Sequence, residues 1–218
     1  MRLNELFLSI QGETASAGLP TIFVRFTGCN LRCTYCDTTY SYYEGDTITP
    51  DEVMEQIRAK KVKRVCLTGG EPLIQPRGEM QHLLDLLGAE DYEVSIETDG
   101  SIDIAKYTLH KKQRFIVDMK VPSSRMSDKM HWDNLRHLDP TRDEIKFVVG
   151  TREDYEWCLR LIREYDLAPA KGYRLIFSPV FRAIEPEDLV NWILEDDLDA
   201  RFQIQLHKIV WDPDKRGV

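Results

Sequence analysis

Short apolar runs alternate along the chain with stretches in which apolar residues recur at helical spacing. The runs predict seven strands: Thr21–Gly28 (TIFVRFTG), Lys63–Gly70 (KRVCLTGG), Glu93–Thr98 (EVSIET), Arg114–Lys120 (RFIVDMK), Glu144–Gly150 (EIKFVVG), Tyr173–Val180 (YRLIFSPV) and Arg201–Leu206 (RFQIQL). Most are near-continuously apolar, as expected of parallel strands covered on both faces. Helices fall between them. Thr49-Pro50-Asp51-Glu52 is a capping box with proline at the first helical position, and Val53, Met54 and Ile57 follow as a buried stripe. Met80, Leu83, Leu84 and Leu87 form a second stripe, which Gly88 is expected to end. Thr151–Asp154 opens a third helix with Trp157, Leu161 and Ile162 inward, and Glu185-Pro186 opens a fourth carrying Leu189, Val190 and Ile193. The βαβα alternation implies α/β architecture with right-handed crossovers. Seven strands with incomplete crossovers point to a partial β/α TIM-type barrel with mostly parallel strands. One domain, 1–218, is expected, with the polar stretch Pro122–Pro140 as a mobile insertion.

Composition narrows the function. Lys and Arg total 29 against 37 Asp and Glu, a net charge of −8. That argues against nucleic-acid binding, which needs a basic face. No apolar run is long enough to span a membrane, and the first residues, MRLNELFLSIQGE, do not read as an export signal, so a cytoplasmic location is expected. Five cysteines make an odd count, and Cys29, Cys33 and Cys36 crowd one short stretch. Such a cluster reads as metal binding rather than as a disulfide framework.

Chemistry in parallel β/α folds gathers at the carboxyl ends of the strands. The unusual residues fall there: Gly28-Cys29, Thr68-Gly69-Gly70-Glu71-Pro72, Glu97-Thr98, Asp118-Met119-Lys120, Ser178-Pro179 and Gln205-Leu206-His207-Lys208. Three thiolates on one loop can converge on one face of an iron–sulfur cube and leave a fourth iron open. The alternative is a zinc knot completed from afar by His207 or Cys66, since structural zinc takes four protein ligands. Cys66 and Cys158, alone in a strand and a helix, read as small buried hydrophobes.

Cys29-x3-Cys33-x2-Cys36, with Tyr35 before the last cysteine, resembles the signature of the radical S-adenosylmethionine superfamily, and Gly69-Gly70-Glu71-Pro72 resembles its Gly-Gly-Glu-Pro element. The resemblance implies a 4Fe-4S cluster on the three cysteines and S-adenosylmethionine held by Tyr35, Cys36, Asp37, Gly70, Glu71, Asp118, Met119, Lys120 and the loop Ser178, Pro179, Val180 and Phe181. Many relatives carry Ser-Pro-Lys where this chain has Asp118-Met119-Lys120, so a serine hydroxyl contact there would be lost. Within the superfamily, Ser9-Ile10-Gln11-Gly12-Glu13-Thr14, Phe23-Val24-Arg25, Cys36-Asp37-Thr38 and the tail from Leu206 resemble the 7-carboxy-7-deazaguanine synthase family. That resemblance implies a lyase acting on 6-carboxy-5,6,7,8-tetrahydropterin with loss of ammonia, in queuosine-type biosynthesis. It implies substrate contacts from Ile10, Gln11, Gly12, Glu13, Arg25, Thr68 and His207, and Mg2+ on Thr38. It also implies an electron donor such as flavodoxin, and a homodimer.

Blander roles compete for several of these residues. Arg25 could make a surface ion pair, Glu13 could be a solvated loop acid, and Thr38 could cap the next turn. His207 could be a core histidine, and Lys120 a snorkelling surface lysine. Two other functions stay open at this point: a glycyl-radical-enzyme activase sharing the cluster motif, and a zinc-stabilised binding module without catalysis.

Overall fold

The computed structural model describes residues 1–218. The strands are β1 (Arg2–Ile10), β2 (Pro20–Phe26), β3 (Asp46–Thr47), β4 (Arg64–Gly69), β5 (Glu93–Thr98), β6 (Gln113–Asp118), β7 (Glu144–Val149), β8 (Arg174–Pro179) and β9 (Arg201–Phe202). The helices are α1 (Pro50–Arg58), α2 (Arg77–Ala89), α3 (Asn134–His137), α4 (Arg152–Glu164), α5 (Pro186–Glu195) and α6 (His207–Val210). All nine strands form one sheet in the order β3-β1-β2-β4-β5-β6-β7-β8-β9. From β2 through β4 to β9 every neighbouring pair is parallel, and β1 is antiparallel to both β2 and β3. The outermost strands, β3 and β9, do not pair, so the barrel stays open as expected.

The seven predicted strands are the parallel ones. β9 is shorter than expected, because after Phe202 the chain turns so that Gln203 can bond the backbone of Thr14 through both its amide oxygen and nitrogen. The expectation that both faces of the sheet are covered is wrong. Ile22, Val24, Leu67, Ile96, Val117 and Phe147 point outward into one apolar core shared with α1, α2, α4 and α5. Each such side chain, fully withdrawn from water, contributes roughly 1.5–3 kcal/mol. The alternate positions face inward, and many are polar: Arg25, Thr68, Glu97, Asp118 and Lys146. The strand period of two thus separates the layer that holds the fold from the layer that can do chemistry.

The capping box of α1 forms as predicted: Glu52 N donates to Thr49 Oγ1 (3.3 Å) and Thr49 N to Glu52 Oε2 (2.8 Å). α4 has the same device, with Thr151 and Asp154 as the reciprocal pair. Three details depart from expectation. α2 runs through Gly88 to Ala89, and Gly88 is required there because a Cβ would meet the His110 ring at 2.3 Å. Trp157 lies half-buried at the rim against Trp132, while Tyr155 and Cys158 take the inward positions of α4. The segment 122–140 is pinned rather than loose. Met130, Leu135 and Leu138 are buried, and Asn134 bonds Gly100 O, Ile102 O and Ile104 N.

The amino ends of the strands are closed by a floor. Arg64 pairs with Glu93 (2.9 Å), Glu93 with Arg114 (3.2 Å) and Arg114 with Glu144 (3.1 Å). The loop 11–19 lies across this chain of charges, with Ala15 N bonded to Glu144 (3.0 Å) and Ser16 bonded to Arg114.

Candidate active site

The cysteine loop follows β2, and residues 27–38 contain neither helix nor strand. Cys29, Cys33 and Cys36 are half-buried and unpaired. Burial, with the charges of Asp99 and Glu71 adding to it, pushes the Cys29 thiol up to about 12, and burial pushes Cys33 up as well. A thiolate here therefore needs a cation beside it, and iron supplies one. No three Cys, His, Asp or Glu side chains converge as a set that could hold one ion. That spacing does not suit a zinc knot, whereas three cysteines on a cube each bind a different iron. Cys66 and Cys158 are fully buried, which is how small hydrophobes behave.

The turn after β4 packs directly on the cysteine loop. Gly70 N donates to Phe26 O (3.1 Å) and Glu71 N to Gly28 O (2.7 Å). A Cβ on Gly70 would lie 2.0 Å from the Gly28 carbonyl oxygen, and one on Gly69, whose φ is +136°, 2.2 Å from that of Phe26. The two glycines are thus there so that one motif can touch the other. With both N–H groups engaged, the Gly70 carbonyl has no partner and can accept from an ammonium group.

The Glu71 carboxylate is fully buried and accepts from Leu73 N (2.8 Å), Thr98 Oγ1 (2.9 Å) and Asp99 N (2.6 Å). It shapes the turn, and only its backbone faces a cofactor. Tyr35 donates to Val148 O (3.3 Å), and Thr34 Oγ1 donates to Ser123 O (2.7 Å). Ser123 is held in turn by Asp154, whose Oδ1 accepts from Ser123 N at 2.9 Å.

Past β6, Lys120 Nζ meets Asp118 Oδ2 at 2.8 Å, and Lys120 is largely withdrawn from solvent. That rules out the snorkelling reading. Asp118 Oδ1 and, past β7, Ser178 Oγ are buried without any hydrogen-bond partner. Such orphaned atoms fit a hydroxyl-rich ligand such as a ribose. The Met119 side chain lies in the apolar core, so only its carbonyl is available, its N–H being bonded to Lys146 O (2.8 Å). Pro179 and Val180 are buried at the end of β8, while Phe181 is exposed, with Arg182 (4.9 Å) and Lys208 (5.1 Å) over its ring. Asp37 is tied to Lys208 (2.6 Å).

Beneath these groups lies a polar interior. Arg25 is mostly buried, and its Nε bonds Glu5 (2.7 Å), which also accepts from Tyr40 (3.0 Å). The two terminal guanidinium nitrogens make no hydrogen bond, so the fork is aimed and free, unlike a surface ion pair. Gln11, just past Ile10, donates to Glu97 Oε1 (3.1 Å), and Thr68 donates to Glu97 Oε2 (3.0 Å). Glu13 is buried, not solvated, and paired with Lys146. Gly12 carries the His207 ring against it, where a Cβ would meet Nδ1 at 2.3 Å. Burial pushes the His207 imidazole below its ordinary value despite Glu13 nearby, so it is neutral at neutral pH. Thr38 does not cap the next turn with its hydroxyl, which lies 3.9 Å from Cys36 Sγ.

Sequence reading missed two interior residues, Glu97 as a partner and Lys146 altogether. Both sit at inward positions of apolar strands, and a charge breaking an apolar run at period two was the available signal.

The chain matches the Radical SAM superfamily model over residues 23–193. It is 39% identical to a 7-carboxy-7-deazaguanine synthase of Koribacter versatilis, covering 100% of each chain. It is 40% identical to one of Clostridium acetobutylicum, covering 100% of this chain and 99% of the relative. In fold it resembles the crystal structure of QueE from Escherichia coli, with a TM-score of 0.77, 23% identity and 94% of each chain covered. It also resembles Streptococcus suis SuiB bound to S-adenosylmethionine, with a TM-score of 0.55, 12% identity, and 84% of this chain and 48% of the other covered.

Proposed function

The chain belongs to the radical SAM superfamily and, within it, to the 7-carboxy-7-deazaguanine synthase family, and from that premise we infer the reaction and the part each residue takes in it. The enzyme forms 7-carboxy-7-deazaguanine from 6-carboxy-5,6,7,8-tetrahydropterin with loss of ammonia, in 7-deazapurine biosynthesis of the queuosine type. The observation that carries this reading is the polar interior under the cysteine loop, which pairs an aimed guanidinium with buried acceptors. A glycyl-radical activase has no use for such a closed, charged interior, and full-length kinship favours neither it nor a zinc module.

When bound, a reduced 4Fe-4S cluster with S-adenosylmethionine supplies the one-electron chemistry that opens the substrate C6–H bond. Cys29, Cys33 and Cys36 would hold three irons. The Gly70 carbonyl suits the methionine ammonium, and Asp118 Oδ1 and Ser178 Oγ suit the ribose hydroxyls. Arg25 offers its two free nitrogens to the substrate carboxylate as a bidentate fork. Gln11 and Glu13 accept from the aminopyrimidine edge, and the Thr68–Glu97 pair fixes the face between substrate and cofactor. His207, neutral, closes the pocket over Gly12.

Mg2+ would take the Thr38 hydroxyl, which caps nothing, with the substrate carboxylate and waters as its other ligands. Five free cysteines and the absence of any helix long and apolar enough to cross a membrane support a reducing, cytoplasmic setting with a flavodoxin-type donor. Leu8 and Leu19, exposed on the β1–β2 hairpin, support a homodimer. The test is anaerobic incubation of the reconstituted enzyme with reductant, S-adenosylmethionine, Mg2+ and the carboxylated tetrahydropterin. Mass spectrometry should find 7-carboxy-7-deazaguanine, and its absence while deoxyadenosine still forms would reject the substrate assignment.

A further inference from the structure

We propose that Lys146 determines specificity in this site, by fixing Glu13 as a pure hydrogen-bond acceptor for the amino-bearing edge of the pterin. The proposal rests on the substrate reading above and assigns a residue that the sequence motifs do not touch.

Lys146 sits in the middle of β7, opposite Asp118 on β6 and Ile176 on β8. Its neighbours Ile145 and Phe147 point outward into the core, so the lysine is the one charge at the centre of an apolar strand. Its ammonium pairs with the Glu13 carboxylate, and neither side chain is more than 12% exposed. A buried ion pair is rarely the cheapest way to fill a core, since an apolar side chain of similar size is often as stable or more so. Its retention at an inward position next to the Gln11–Gly12–Glu13 loop therefore asks for a chemical reason.

The reason lies in donor and acceptor matching. The aminopyrimidine edge of a pterin displays N–H donors. A carboxylate only accepts, whereas a protonated carboxyl presents an O–H of its own and would set donor against donor. Burial by itself raises the Glu13 pKa, and Lys146 outweighs it, leaving the group below its ordinary 4.5. The other groups facing Glu13 cannot substitute. From the C-terminal segment come Gln205, which is neutral, and His207, which burial keeps neutral. Lys208 is engaged by Asp37 (2.6 Å). From β6 and β5, Asp118 and Glu97 act on Lys146 and reinforce its charge. Gln11 Oε1 accepts from the Glu13 N–H at 3.4 Å and so orients the loop without charging it. Without Lys146, Glu13 takes up a proton near neutrality and its acceptor face is lost.

The experiment uses cluster-loaded enzyme with S-adenosylmethionine bound and reads equilibrium binding, not turnover. The probes are 6-carboxypterin, followed by its fluorescence, and the 2-oxo analogue 6-carboxylumazine, which lacks the amine. The wild-type enzyme should prefer the pterin by about 10- to 100-fold, the scale of a charge-assisted hydrogen bond. Lys146→Met should cut the preference to within about threefold at pH 7, with pterin affinity returning as pH rises, and Lys146→Arg should keep it. A Lys146→Met enzyme with wild-type preference at pH 7 overturns the proposal. Should that variant not fold, Glu13→Gln decides: it must lose the preference, and retaining it overturns the proposal equally. Wild-type enzyme that binds neither probe rejects the substrate reading instead, so the two failures are distinct.

Discussion

Replacing Gly70 by alanine tests whether the two cofactor motifs form one unit. The new methyl carbon would start 2.0 Å from the Gly28 carbonyl oxygen and 3.0 Å from Cys29 Cβ. Both obstacles belong to the cysteine loop and neither is the end of a flexible side chain. The loops must part by roughly 1 Å or more to reach an ordinary contact distance. That movement weakens Gly70 N to Phe26 O and Glu71 N to Gly28 O, each a bond of about 1 kcal/mol. Overpacking strain adds roughly 1–3 kcal/mol. The sum is about 3–4 kcal/mol, and at about 2–4 °C per kcal/mol for a chain of this size it predicts a Tm lower by roughly 10 °C. Displacing Cys29 should also cut iron and sulfide retained after anaerobic reconstitution to less than about half, and weaken S-adenosylmethionine binding at least tenfold. Gly78→Ala is the control. It lies in the first turn of α2 with nothing within 4 Å of the added carbon, and should leave stability unchanged or up to about 1 kcal/mol higher. Calorimetry, iron analysis and equilibrium dialysis read all three quantities. A Gly70→Ala protein with wild-type Tm, iron content and cofactor affinity would refute the reasoning.

Arg25→Lys should raise the substrate KM by about 10- to 100-fold while leaving the cluster absorption spectrum intact, because a lysine cannot both bond Glu5 and offer a fork. Asp154→Ala removes the acceptor for Ser123, Gly150 and Thr151. It should cost about 2–4 kcal/mol in urea unfolding and loosen the cysteine loop that hangs on Ser123, seen as faster cluster loss to a chelator. Glu13 is buried, yet Lys146 holds its pKa below 4.5. The stability this pairing gives is present above about pH 4.5 and is lost as pH falls through the lower folded value. Glu13→Gln should therefore flatten the acid limb of a Tm-against-pH curve, and an unchanged limb would contradict the pairing.

The cysteine loop, the glycine turn and the strand ends that carry them were legible because each follows an apolar run ending in residues that a strand cannot easily accommodate. β1 was not read, although it supplies an edge of the site. A register shift between Leu3 and Glu5 breaks its alternation, so no period of two survives in Arg2–Ile10. Lys146 and Glu97 were hidden for a different reason. One charge in a run of valine, isoleucine and phenylalanine reads locally as noise, and gains meaning only when adjacent strands align such charges on the same face. The segment 122–140 looked loose because its fixing contacts, such as Asn134 to Gly100 O, reach far along the chain. Composition records polarity, not the partner that satisfies it.

The charged floor has a consequence for traffic through the enzyme. Arg64, Glu93, Arg114 and Glu144 seal one end of the barrel, with loop 11–19 laid over them. Both small molecules must then share a single doorway at the opposite end. A pterin resting on Gln11 and Glu13 sits below a nucleoside resting at Gly70 and Ser178, so admission follows a queue, with the deeper guest first in and last out. Pulse–chase of bound pterin should show its exit blocked by excess S-adenosylmethionine, and free exit in its presence would mean the floor opens.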